Sequence, residues 1–167
     1  MLNQKATMDA EFVVRKAGKT KEEVKKDLMT AIEKNRSDTG FLTPLDSDIK
    51  TYDFDKEDGS IDVWLRIDYE NKNTVFEPGS PADPFGDPCD MDPAYIKGLE
   101  TEEEISKKTM NFLKKVCESA EYELLPEVDV SAYDIQNEQD LFDELEKEMR
   151  YEKEYQDELA WEESMGK

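Results

Sequence analysis

The sequence predicts an α+β fold, and three observations lead there. Two capping boxes each open an amphipathic helical stripe, an Asp-Gly step separates two alternating runs, and the stretch from Asn137 to Glu163 lacks both Gly and Pro.

Residues 10–16, Ala-Glu-Phe-Val-Val-Arg-Lys, read as a short strand that ends at Gly18. Thr20 followed by Glu23 is the first capping box. Val24, Leu28, Ala31 and Ile32 then fall on one helical face, predicting a helix over 21–35. Asp58-Gly59 tolerates the positive φ values of a type I′ turn. A two-residue loop there would pair Phe54 with Val63 and Tyr52 with Leu65 on one face, leaving Asp53, Asp55, Asp62, Trp64 and Arg66 on the other. In that register Asp55 lies across from Asp62. Between Asn73 and Gly98 stand five of the seven prolines and three Asp-Pro steps, which exclude a helix or a central strand. Phe85, Met91, Tyr95 and Ile96 are the side chains that would dock such an insert. Thr101 and Glu104 form the second capping box, opening a helix over 102–119 in which Ile105, Thr109, Phe112, Leu113 and Val116 share a face. Leu124, Val128 and Val130 alternate around Pro126, the pattern of an edge strand.

The order is that of a ferredoxin-like β-α-β-β-α-β domain. Residues 1–72 supply its first part, 73–98 a Pro-rich acidic insert or loop, 99–135 the completing α-β, and 136–167 a long acidic C-terminal helix. No internal repeat is visible.

In that last segment Leu141, Phe142, Leu145, Met149, Leu159 and Ala160 cluster on one side at ~100° per residue, interrupted at Glu152 and Gln156. Asp140, Asp143, Glu144, Glu154, Glu158 and Glu162 form a ridge on the other side. Residues 134–163 hold thirteen acids and three bases. At ~1.5 Å rise per residue this is one carboxylate per ~3.5 Å, close to the ~3.4 Å phosphate spacing along one DNA strand. Tyr151, Tyr155 and Trp161 stand among the acids, off the apolar stripe, where large amphipathic rings anchor protein interfaces.

With 43 Asp+Glu against 22 Lys+Arg, the net charge is −21, which disfavours direct contact with nucleic acid or anionic lipid. Lys outnumbers Arg 18 to 4, unlike a surface adapted to high salt, so the acidity reads as functional. No run of apolar residues is long enough to span a membrane. The only cysteines, Cys89 and Cys117, make neither a disulfide framework nor a metal knuckle and point to a reduced, cytoplasmic setting.

The absence of histidine removes Ser-His-Asp and Cys-His catalysis and the usual zinc ligands, and no Gly-rich phosphate cradle is present. Asp53, Asp55, Glu57 and Gly59 fail the EF-hand pattern, because Gly is seventh from Asp53 and position twelve is Trp64. A carboxylate-only magnesium site would draw on Asp46, Asp48, Asp53, Asp55 and Asp62. No cofactor and no enzymatic activity are expected.

The expected function is that of a non-enzymatic inhibitor or decoy whose carboxylates occupy the basic nucleic-acid-binding surface of a target protein. Anti-CRISPR and anti-restriction proteins of phages and mobile elements share this logic in charge, size and lack of catalytic residues. The candidate contact residues are Asp140, Asp143, Glu144, Tyr151, Glu154, Tyr155, Glu158, Trp161 and Glu162 on the terminal helix, and Asp53, Asp55 and Asp62 on the hairpin. The alternatives are an immunity protein or antitoxin for a basic toxin, and an adaptor that docks through its terminal helix.

Overall fold

The computed structural model describes residues 3–55, 57–77 and 95–165, apart from the side chains of 148–153, 156, 160 and 162–165. Its elements run β1 (Gln4–Arg15), α1 (Lys21–Asn35), β2 (Ile49–Asp55), β3 (Ser60–Asn71), β4 (Val75–Glu77), β5 (Tyr95–Lys97), α2 (Glu102–Ser119), β6 (Glu123–Ile135) and α3 (Glu138–Met165), with a short 3-10 turn at Asp46–Asp48. The fold is mixed α+β. The chain divides into two compact units, one of Lys5–Asn73 and Glu100–Ile135, the other of Met1–Gln4, Thr74–Leu99 and Gln136–Lys167.

In the first unit β2, β3, β1 and β6 form a four-stranded antiparallel sheet in that order, and α1 and α2 pack on each other, with α1 against β2 and α2 against β6. Both helices begin where the sequence places them. Thr20 Oγ1 accepts the Glu23 amide at 3.2 Å and donates to the Glu23 carboxylate at 3.1 Å. Thr101 does the same with Glu104, at 3.2 Å in both directions. Val24, Leu28, Ala31 and Ile32 of α1 are buried, as are Ile105, Thr109, Phe112, Leu113 and Val116 of α2. Cys117, off the most apolar line of its helix, is buried with them.

The core is completed from the sheet by Met8, Phe12, Ile49, Leu65 and Ile67, none more than 1% exposed. Phe41 joins it between α1 and β2, its ring 4.6 Å from Phe112 and 5.0 Å from Tyr69. Tyr69 also donates to Glu100 at 2.6 Å. Lys108 reaches the same carboxylate at 2.7 Å, so the most deeply placed acid of this unit is held by a phenol and an ammonium together.

The β2–β3 hairpin departs from the expected register. Ile49, Thr51 and Asp53 lie opposite Leu65, Val63 and Ile61, while Lys50 and Tyr52 lie opposite Trp64 and Asp62, and Asp55 opposite Ser60. This is a shift of an odd number of residues, so every β2 side chain changes face. Tyr52 and Phe54 are therefore exposed, and Asp55 does not face Asp62. The cause is the turn. A type I′ loop needs positive φ at both central residues, but Asp58 keeps a negative φ and only Gly59 is left-handed, at +77°. The Asp58 carboxylate accepts the Ser60 amide at 2.9 Å, and Asp55 accepts that of Glu57 at 2.9 Å. Four residues, not two, separate the paired Asp55 and Ser60, and the ladder is irregular between Asp53 and Asp55.

β6 lies at an edge of the sheet. Its register against β1 shifts between Phe12 and Val14, and Pro126 falls inside that irregularity, where its missing N–H breaks no ladder bond.

In the second unit β4 and β5 pair antiparallel, Phe76 opposite Ile96, so the flanks of the expected loop form a short ladder that was not legible in the sequence. Phe85 and Met91 lie outside the described residues. α3 opens with a reciprocal box: Asn137 Oδ1 accepts the Asp140 amide at 2.9 Å and Asp140 accepts the Asn137 amide at 3.0 Å. Leu141 is fully buried, and Phe142 meets Phe76 edge-on at 6.3 Å.

Gly40 has φ +91°, and a Cβ there would lie 2.5 Å from the Glu70 carbonyl oxygen and 2.9 Å from the Tyr69 ring. Gly40→Ala is expected to cost about 2 kcal/mol through backbone strain and this clash, read as a lower urea midpoint at unchanged m-value.

Candidate functional site

The geometry of the sheet decides which carboxylates meet. β1 sends Ala6, Met8, Ala10, Phe12 and Val14 inward, so its period of two sends Thr7, Asp9, Glu11 and Arg15 to the outer face. β3 buries Ile61, Val63, Leu65 and Ile67 and turns Asp62, Trp64, Arg66 and Asp68 outward. From the edges, β6 places Asp129 directly opposite Glu11, and β2 places Tyr52 opposite Asp62. Residues directly opposite share a face, so the outer face combines acids from β1, β3 and β6 with rings from β2, β3 and β6.

Two arrangements stand side by side on this face. In the first, the Arg66 guanidinium is 2.9 Å from Asp9, with its central carbon 4.1 Å from the Tyr133 ring centroid and 5.3 Å from that of Trp64. Lys50 lies 5.4 Å from the same Trp64 ring, and Thr7 donates to Asp68 at 2.7 Å. Asp9 holds the Arg66 guanidinium above its ordinary range.

The second is a recess of about 280 Å³. Glu11, Asp62, Glu127 and Asp129 supply its carboxylates, and Phe12, Val13, Phe54 and Val128 its apolar walls. Among the described residues no lysine or arginine lines it. The negative charge of Asp62 and a side-chain hydrogen bond with it raise the Glu11 carboxyl above its ordinary range, with smaller contributions from burial and from Asp129. Asp62 Oδ1 is sealed from solvent and accepts no hydrogen bond. Like charges are thus brought together by the strands that carry them, with no cation between them among the described residues.

The hairpin acids expected to act together are separated. Asp62 is in the recess, whereas Asp53 pairs with Lys21 at 3.5 Å and Asp55 is engaged with the Glu57 amide. The carboxylates considered for magnesium disperse as well, since Asp46 pairs with Lys25 at 3.1 Å and Asp48 lies 3.4 Å from the Leu45 amide. Among the described residues, no three acids, cysteines or histidines converge to hold a metal ion. Burial pushes the Cys117 thiol up to about 12, so it stays protonated and non-nucleophilic at neutral pH. Cys89 lies outside the described residues.

On α3, Asp140 serves the helix cap, Asp143 accepts from Gln139 at 2.9 Å, and Glu144 accepts from Gln136 at 3.3 Å. Glu154 and Glu158 are exposed, as are Tyr155 at 61% and Trp161 at 63%. The side chains of Tyr151 and Glu162 lie outside the described ones.

Glu11, Glu127 and Asp129 were not singled out from the sequence, although a signal was present. Asp9-Ala10-Glu11-Phe12 and Val128-Asp129-Val130 alternate acid with apolar residue, which marks the acids as outward on adjacent strands once β1 and β6 are paired.

Comparison with protein-family models, with characterised proteins and with solved structures returns no match. Among the described residues no helix is long and apolar enough to cross a membrane.

The raised Glu11 carboxyl gives a signed expectation. A folded-state pKa above the unfolded value adds stability at pH below the unfolded pKa, and that contribution is lost as pH rises through the folded one. At neutral pH the ionised group is therefore a liability. Glu11→Gln is expected to raise Tm at pH 7 and to leave it unchanged at about pH 3, where glutamate is protonated in both states. Thermal melts at the two pH values check this.

Proposed function

We propose that this chain is a non-enzymatic acidic inhibitor or decoy that occupies the basic nucleic-acid-binding surface of a target protein in the cytoplasm. The observation that carries the reading is the outer sheet face, where Glu11, Asp62, Glu127 and Asp129 gather with no cation beside them among the described residues and exposed rings stand between acids. Carboxylates packed together at a cost to the fold serve a surface that a basic partner neutralises. The ridge of α3, with Glu154 and Glu158 exposed, adds a second acidic element to the same reading. The reading includes a ferredoxin-like architecture for the Lys5–Asn73 and Glu100–Ile135 unit. Its support is the strand order β2-β3-β1-β6, with α1 following β1 and α2 coming between β3 and β6.

A second reading, an adaptor that docks through α3, is favoured by a different observation: Tyr155, Leu159 and Trp161 are all exposed on that helix. Salt separates the two. A target captured by a phosphate mimic is expected to be released by added duplex DNA and to lose affinity about a hundredfold or more between about 50 and 200 mM salt. Binding that resists salt and leaves the target free to hold DNA overturns the decoy reading in favour of the adaptor.

Pooled reversal of Asp140, Asp143, Glu144, Glu154, Glu158 and Glu162 to Lys tests the contribution of α3. If the helix makes the contact, titration calorimetry against the target shows binding abolished. Unchanged affinity removes the helix from the interface.

A further inference from the structure

We propose that the open edge of β6 takes up an extended segment of a partner protein as an added strand, a segment in which basic and apolar residues alternate. The inference goes beyond the decoy reading, because backbone pairing and apolar cover carry it rather than the spacing of charges.

β6 pairs with β1 along one side, and among the described residues no strand pairs with it along the other. Between its two irregularities the run 128–132 is regular, so alternate residues there turn their N–H and C=O away from β1. Strand addition needs such free backbone groups and also an apolar surface beside them. Met8, Ala10 and Phe12 on β1 are at most 1% exposed, yet their partners across the ladder, Ala132, Val130 and Val128, are only half-buried. The apolar layer of the sheet thus extends one strand further than its cover. Beside that strand a groove of about 570 Å³ runs between α2 and β6, lined by Met110 and Lys114 from the helix and by Leu124, Leu125 and Val128 from the strand. A segment laid along β6 satisfies the backbone edge and turns every second side chain toward this groove.

Charge selects the occupant. Glu127 and Asp129 stand exposed on the outer face of β6, and the side chains of an added strand lie ~5 Å from those they oppose. Basic residues on the outward side of the segment meet these acids favourably while its apolar residues cover the inner side. A second copy of β6 is the poorer occupant, since it brings Glu123, Glu127, Asp129 and Asp134 against the same acids. Pro126 has no N–H to offer, which places the pairing from Val128 onward.

The test is an amide NMR titration and hydrogen-exchange measurement on the full chain with the peptide acetyl-Thr-Val-Lys-Val-Arg-Val-Thr-amide. Comparison peptides have the same composition with the three valines contiguous, glutamate in place of both basic residues, or N-methyl groups on either the valines alone or the lysine and arginine alone. Expected are saturable shifts at residues 128–132 and Met110, with exchange slowed at every second amide of that run. One N-methylation pattern is expected to weaken binding about tenfold or more and the other less than about threefold, because only one edge of an added strand faces β6. The contiguous-valine peptide is expected to bind at least about fivefold more weakly, and the glutamate peptide not to saturate. Met110→Ser, on the flank of α2 outside the core, is expected to weaken binding about threefold or more. Glu127→Gln with Asp129→Asn is expected to do the same without altering which N-methylation pattern is harmful.

Equal effects of the two N-methylation patterns, equal binding of the contiguous-valine peptide, or shifts without slowed exchange in β6 overturn the inference. So do shifts at 128–132 that appear on raising the protein concentration without peptide, which assign the edge to a second copy. None of these results touches the decoy reading, which stands or falls on displacement of its target by DNA.

Discussion

The outer face of the sheet depends on what is buried on its inner face. Met8 and Phe12 on β1 and Leu65 and Ile67 on β3 are withdrawn from water almost completely, and each such side chain is worth roughly 2 kcal/mol of burial. Because strands alternate, that burial fixes the face and the register at which Asp9, Glu11, Asp62 and Asp129 stand, so none changes face without taking a core residue with it. Repulsion between Glu11 and Asp62 is partly screened, because the Glu11 side chain is exposed to water, and it is weaker than the apolar term that holds both strands. The fold tolerates the cluster because the stronger, non-directional effect lies on the opposite side of the same residues.

The two helices of the sheet unit were legible to the residue, and the reason is local. A Thr-x-x-Glu box fixes a start within a few residues, and the stripes Val24-Leu28-Ala31-Ile32 and Ile105-Thr109-Phe112-Leu113-Val116 need no knowledge of the rest of the chain. The hairpin was legible as a hairpin but not in its register. Asp58-Gly59 carries the dipeptide of a two-residue turn, yet the Asp58 side chain is spent on the Ser60 amide and on Arg15 at 3.4 Å, which selects a longer loop. The longer loop places Tyr52 and Phe54 on the surface, where the two-residue turn would have put them in the core. The β4–β5 ladder was missed because three-residue strands flanking a Pro-rich stretch leave no periodicity to read.

The candidate site was legible in kind and not in place. Acidity as the dominant surface property is visible in composition alone, but the grouping Glu11, Asp62, Glu127 and Asp129 comes from strands far apart in sequence and exists only once β6, β1 and β3 are adjacent. The hairpin acids Asp53 and Asp55, neighbours of Asp62 in sequence, are drawn off by Lys21 and by the turn. Asp140 has a second occupation in capping α3, so charge on that ridge and the integrity of the helix start are not independent.

The edge position of β6 has a consequence for behaviour at high concentration. A strand of thirteen residues at the border of a sheet presents an open row of backbone donors and acceptors, the template on which chains aggregate edge to edge. Pro126 removes one donor from that row and sits in a local irregularity, while Glu123, Glu127, Asp129 and Asp134 set like charges along its length. An approaching copy would bring the same acids against them. The acidic composition thus also discourages the longest strand of the sheet from seeding fibrils.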